Sequence, residues 1–393
     1  MKSIEVSDSH SKLRFALFIF FILLGLVSLG MGLFSLLKQD TGWQTIELQS
    51  GQEYLSGDIV LEYNIGKSGA SAMLEYKEVA SIYTDVANRM YKLLDGTKYF
   101  DSVANLYSIS KSPNQTHTVD PLLYEALQML CEQGGRSVYL APVYEQYRSI
   151  IDSSSDYYAS LQDPLKNEDA AAYVNELLGF LSSDTHISLR FLGNNQVELF
   201  VSDAYLAFAQ EWEITGLLDF GWYKNAFLVD AVAQALISEG HTLGVVSSFD
   251  GFSRNMDASE QSYSLNVFVR KDNEISMPAR ISYKGAAALV TLRDYPLSTN
   301  DQFRLYLYED GTSVTLYVDA RDGIAKAATH ELTAISQTQS CAFTALSIAP
   351  VYIAQSLDTS ALEALEAQGI TSVYAVDGVA QSTNPALIIE SIS

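Results

Sequence analysis

The sequence predicts a mixed α/β (α+β) domain behind one N-terminal transmembrane helix. Three observations predict it. An uncharged apolar run fills Phe15–Leu37. Beyond it, helical and strand periodicities alternate between turns rich in Gly and Asn. Of 393 residues, 48% are apolar and 18% charged, a balance that buries a core instead of leaving a disordered chain. The length allows roughly two to three domain-sized units. No internal repeat and no Pro-rich linker divides the chain, so the outer part reads as one large unit of two intimate lobes.

The elements follow in order. Phe15–Leu37 is long enough for the hydrocarbon core, which about 20 apolar residues cross. It exceeds a signal-peptide core of roughly 7–15 residues, and no clear small-residue cleavage pattern follows it. It therefore reads as an uncleaved signal anchor at the cell membrane. Lys2, Lys12 and Arg14 precede it and only Lys38 closely follows. The positive-inside rule then makes residues 1–14 a cytoplasmic tail, 15–37 the span, 38–50 a linker and 51–393 an extracytoplasmic domain. Ser28 and Gly32 form a small-residue pair that faces lipid or a second helix.

Asp58–Tyr63 reads as a strand. Leu74, Val79, Ile82, Val86, Met90, Leu93 and Leu94 fall at helical spacing within Met73–Asp95, which stops at Gly96. Asp120-Pro121 supplies an N-cap and a first helical position for a helix reaching Gly134-Gly135. Glu168–Leu181 is a further helix. Ile187–Leu192 and Val197–Val201 flank Gly193-Asn194-Asn195 as a hairpin. Leu217–Phe220, Ala226–Ser238 and Leu243–Phe249 read as a strand–helix–strand unit. Ser262–Val269, Ala286–Thr291, Phe303–Tyr308 and Val314–Val318 read as strands, and a last helix, capped at Asp358, precedes strand Thr371–Val376.

Charge and composition exclude several functions. There are 47 acidic and 24 basic residues, a net charge of −23, which argues against nucleic acid as a partner. Removing Glu5, Asp8, Lys2, Lys12 and Arg14 leaves 45 acidic and 21 basic residues outside, so the domain stands off an anionic bilayer. The two cysteines, Cys131 and Cys341, form neither a disulfide scaffold nor a four-Cys zinc site; they are buried thiols or one disulfide. The 24 tyrosines suit half-buried strand positions.

No G-x-S-x-G, H-E-x-x-H, C-x-x-C, Walker A or G-x-G-x-x-G pattern is present. The five histidines (His10, His117, His186, His241 and His330) are scattered. What remains is Asp219, Asp250 and Asp319 at predicted strand ends, where carboxylates serve ligands, metals or turns.

The order of segments resembles one family, the FAD:protein FMN transferases (ApbE-like). Ile214–Met256 resembles the family's strand ending D-x-G-G-x-A-K-G, a helix bearing an Asp, and a strand ending G-G-D; Asp219, Gly221, Asp230 and Asp250 are kept. Thr291–Tyr295 resembles T-S-G-x-Y, Leu316–Gly323 resembles H-x-x-D-P-x-T-G, and Ser340–Leu346 resembles D-A-L-x-T-A-L. The collinear match covers most of 51–393. The resemblance implies an ApbE-like flavin transferase fold and FAD and Mg²⁺ as cofactors. It also implies transfer of FMN to a Thr of a target flavoprotein subunit or membrane redox complex. Cofactor-binding positions are then Gly221, Lys224, Asn225, Asp250 and Asp319, and metal positions are Ser340 and Thr344.

Departures from the family pattern matter as much. Ser340 stands where the family has its metal Asp, while Thr344 is kept. Trp222 and Phe249 replace glycines, Lys224 and Asn225 replace Ala and Lys, and Leu316 replaces His. Bulk then stands where phosphate needs bare backbone, and Leu316 cannot move a proton. No residue is assigned a catalytic role. The expected function is a membrane-anchored homologue with a degenerate site, a pseudoenzyme with weak or no activity that acts as a binding or scaffold module. Two alternatives are an active transferase with a site rebuilt from Lys224, Asp250 or Asp319, and an unrelated envelope interaction protein. The ligand site is expected where Gly221–Ala226, Ser248–Asp250, Asp319 and Ser340–Thr344 converge. On net charge, a metal-free FAD site is the least favourable version.

Overall fold

In a computed structural model of the chain, the described residues are 41–49, 59–67, 69, 71–271, 274–298, 301, 303–376 and 378–392, with Ile19–Ile22, Leu24, Gly25 and Ser28 near the N-terminus. The expected span 15–37 lies for the most part outside them; those of its residues that are described are helical. Among the described residues, no helix is long and apolar enough to cross a membrane.

Strand β1 (Gly42–Ile46) pairs with β2 (Ile59–Ile65), setting Trp43 opposite Asn64. Part of the expected linker is thus the edge strand of a sheet, because its alternating residues cover one end of the core. Helix α1 (Ala72–Leu93) follows, its first turn capped by Ser71, whose hydroxyl accepts from the Leu74 amide. Val79, Tyr83, Met90 and Leu93 form its buried face. After the short α2 (Leu106–Lys111) and β3 (Thr116–Thr118), α3 (Pro121–Gln133) starts as the sequence predicts. Asp120 caps it by accepting from the Leu122 amide at 2.9 Å, and Pro121 fills a position that needs no donor.

Helices α4 (Ala141–Ile151), α5 (Asp156–Gln162) and α6 (Glu168–Leu181) lead to the hairpin β4 (Ile187–Gly193) and β5 (Gln196–Val201). Asn194 and Asn195 both take positive φ, 49° and 58°, the left-handed pair that a tight two-residue hairpin turn requires. Helix α7 (Asp203–Glu211) comes next.

The expected strand Leu217–Phe220 does not form. Leu217 donates its amide to the Ser110 hydroxyl and Asp219 donates to the Val138 carbonyl, so this backbone bonds to helical segments and not to a ladder. Leu217, Leu218 and Phe220 are all buried. Their apolar run reflects burial on every side, which a periodicity cannot distinguish from a strand. The strand–helix–strand unit is therefore absent.

Helix α8 (Lys224–Ser238) instead leads into an antiparallel meander, β6 (Gly244–Ser248) and β7 (Phe252–Asn255), then the long hairpin β8 (Ser262–Lys271) and β9 (Glu274–Lys284), and β10 (Ala287–Arg293). The hairpin β11 (Leu305–Leu307) and β12 (Ser313–Thr315) is shorter than the sequence suggests. Then come β13 (Glu331–Ser336), α9 (Cys341–Tyr352), α10 (Thr359–Ala364), β14 (Ile370–Val376), β15 (Val379–Ser382) and β16 (Ile388–Ser391).

The main sheet runs β1-β2-β6-β7-β10-β13-β14-β15, and its neighbouring strands all pair antiparallel. Its central strands are buried on both faces. Along β10, Ala288, Val290 and Leu292 point into the helical core, whereas Ala287 and Leu289 join Ile281, Ile335 and Val373 beneath the small sheet β16-β9-β8. That alternation, two apolar faces with period two, places α8 and α9 on one side and the β8–β9 hairpin on the other.

Candidate functional site

A cleft of about 490 Å³ opens where the start of α8, the β6–β7 turn, the end of β10 and the β11–β12 hairpin meet. Its floor begins with a turn. The Asp219 carboxylate accepts from the Gly221 amide at 2.7 Å and from Arg148 of α4 at 2.8 Å. Gly221 takes φ 55°, and a Cβ there would run into the buried Tyr144 ring. Only glycine meets both demands. The turn carries Trp222 into the wall, stacked on Tyr223 with ring centroids 3.8 Å apart and meeting Tyr317 edge-on at 5.1 Å. The indole N–H of Trp222 is buried and has no partner among the described residues.

Lys224 and Asn225 open α8 and line the cleft. Asn225 donates through Nδ2 to Asp250 Oδ2 at 2.8 Å; Asp250 Oδ1 is buried with no partner among the described residues. Burial pushes the Asp250 carboxyl above its usual range, against the opposing pull of Ser248, Arg304 and Asn225. Gly251 fixes this carboxylate in place. It takes φ 100°, a Cβ would strike the Thr291 carbonyl, and its own carbonyl accepts from the Thr291 amide at 2.8 Å. The β6–β7 turn thus lies directly on β10. The sequence reading named Asp250 but not Gly251; a lone Gly after a strand was the available signal.

The opposite wall is basic, and its arginines were missed. Arg293 and Arg304 each donate to the same oxygen of Asp301 at 3.2 Å. The amides of Leu297 and Ser298 hold the other oxygen at 2.8 and 2.9 Å. Burial alone would raise the Asp301 carboxyl; these amides and guanidiniums together hold it below the usual range. Nothing in the local sequence marks two arginines eleven residues apart as neighbours across a loop.

Of the expected site residues, Gly221, Lys224, Asn225 and Asp250 share this cleft, while Asp319, Ser340 and Thr344 are not among its lining residues. Asp319 closes a turn instead. It binds Arg321 and Lys326, each at 2.7 Å, and its carboxyl is held far below the usual range. Ser340 caps α9, its hydroxyl accepting from the Phe343 amide at 3.2 Å, and Thr344 donates to the Ser340 carbonyl at 2.7 Å. Asp230 of α8 completes this corner, accepting from the Cys341 and Ala342 amides at 2.9 and 2.8 Å. Every side-chain oxygen there already has a backbone partner. A divalent cation is held mainly by anionic oxygens. Asp230 is shared by two amides and Ser340 brings no charge, so this corner is short of carboxylate for a cation, although the Thr344 hydroxyl, which donates within its own helix, keeps its lone pairs. Among the described residues, no group of three or more His, Cys, Asp or Glu side chains suits a metal. Both cysteines are free, and burial pushes the Cys131 thiol up to about 11.

The fold matches two solved structures over most of their length. One is an ApbE protein from Thermotoga maritima, with TM-score 0.58, 12% identity, and coverage of 86% of this chain and 96% of that one. The other is a variant of the flavin transferase ApbE from Vibrio cholerae, with TM-score 0.51, 12% identity, and coverage of 88% and 97%. No family model matches the sequence, and no curated protein matches it. The chain has an ApbE-like fold.

Proposed function

We propose that this chain, with its ApbE-like fold, is a membrane-anchored flavin-binding homologue of the FAD:protein FMN transferases with weak or no transfer activity. Its cleft would hold FAD, the isoalloxazine among Trp222, Tyr317 and the exposed rings of Phe249 and Phe303, and the phosphates towards Lys224, Arg293 and Arg304. The residues present fit that ligand: flat aromatic faces beside cations suit a planar ring carrying phosphate. A bound flavin would supply the ring chemistry; this chain's residues would bind it, orient it and exclude water. One observation carries the loss of transfer. The corner that the resemblance assigns to the metal has the uncharged Ser340 in place of a carboxylate, and Asp230 there is engaged by the Cys341 and Ala342 amides. The partner would be a flavoprotein subunit of a membrane redox complex, met on the outer side of the membrane.

The test is incubation of the full chain with FAD, Mg²⁺ and a Thr-bearing acceptor subunit, followed by denaturing electrophoresis for covalent flavin fluorescence. No fluorescent acceptor is expected; a fluorescent band overturns the loss of activity. An active transferase with a rebuilt site is the second reading, favoured by the unpartnered Oδ1 of Asp250. It requires transfer that disappears in Asp250→Ala.

A further inference from the structure

We infer that Arg293, Arg304 and Lys224 take over the charge-neutralising task of a divalent cation, so that the cleft binds a phosphate-bearing aromatic ligand without metal. This rests on the flavin-binding reading above and specifies how that site handles phosphate. Three cations line the cleft against two carboxylates, Asp250 and Asp301. Asp301 is shared by two guanidiniums through a single oxygen, its other oxygen being held by backbone amides. The Arg293–Asp301–Arg304 group therefore keeps one net positive charge. It also keeps most of its guanidinium N–H donors, since each arginine carries five.

The group is enclosed. Side-chain exposure is 19% for Arg293, 26% for Arg304 and 6% for Asp301, so its charge is screened less than that of a surface arginine. Asp301 also fixes the guanidinium planes, which removes the ordering cost that a free arginine would meet on binding. Across the cleft, Lys224 stands on the first residue of α8, where the helix dipole adds positive potential. Its ammonium lies 5.2 Å from the Tyr91 ring centroid. The overall charge of −23 points the other way, but it is spread over the surface, and a ligand inside the cleft feels the nearest charges most.

The experiment titrates the full-length protein in detergent with FAD, following flavin fluorescence in excess Mg²⁺ and, separately, in EDTA. Riboflavin, which lacks phosphate, and inorganic pyrophosphate as competitor separate the ring from the phosphates. The expected result is FAD binding that differs less than about twofold between Mg²⁺ and EDTA. Arg304→Gln should weaken FAD by roughly tenfold or more, the worth of a charged hydrogen bond, and riboflavin far less. Because that variant can misfold, wild-type salt dependence is a second readout: FAD affinity in EDTA should fall steeply with salt and riboflavin affinity should not. FAD binding that requires Mg²⁺ overturns the inference and leaves the flavin reading standing. Equal loss of FAD and riboflavin in Arg304→Gln, or salt-insensitive FAD binding, also overturns it. No flavin binding under either condition overturns both.

Discussion

At the scale of single residues, the site depends on two glycines that hold conformations other residues resist. Gly221 sits against Tyr144 and Gly251 against the Thr291 carbonyl. A side chain at either meets strain and a clash together. Gly221→Ala is expected to lower stability by about 1–3 kcal/mol, because the buried Tyr144 ring has little room to yield. It should also abolish flavin quenching, since the turn carries Trp222. Thermal melting and flavin titration of the variant check both; an unchanged melting temperature would show that the turn is pliable. Asp219 was legible as a site position, but its role is to hold this turn through the Gly221 amide and Arg148.

At the scale of elements, α9 shows how residues of a family-like motif also serve the helix that carries them. Its N-terminal amides need acceptors wherever the helix lies. Here Ser340 and the Asp230 carboxylate provide them. Asp230→Ala leaves the Cys341 and Ala342 amides unpaired and is expected to cost about 2 kcal/mol or more. Thr344→Val, which removes only a hydroxyl bonded within its own helix, should cost about 1 kcal/mol or less. Denaturant unfolding of both variants checks the order. If Thr344→Val proves the costlier change, Thr344 has a task beyond the helix.

At the scale of the whole molecule, the sheet buries its centre on two sides, against α8 and α9 on one face and the β8–β9 hairpin on the other. The anchor proposed for residues 15–37 makes a separate prediction. Deleting residues 1–37 is expected to move the protein from the membrane to the soluble fraction while flavin binding persists; retention in washed membranes would count against the anchor.

Long periodic helices were legible because their signals are local. Glu168–Leu181 matches its predicted bounds, and α3 begins at its predicted cap. The hairpin at Asn194-Asn195 was legible because left-handed turns select their residues. The strand misread at Leu217–Phe220 has a plain cause: a short apolar run records burial, not the identity of the neighbour. By itself, the sequence determined the alternation of helices and strands, the order of segments that resembles the flavin transferases, and four of the residues that line the cleft. Folding alone shows that Arg293 and Arg304 join Lys224 around it and that Asp319, Ser340 and Thr344 lie outside its lining. The physical reason is that helix caps and turns are bonded within a few residues of chain, whereas the field inside a cleft is summed over residues that only folding brings together.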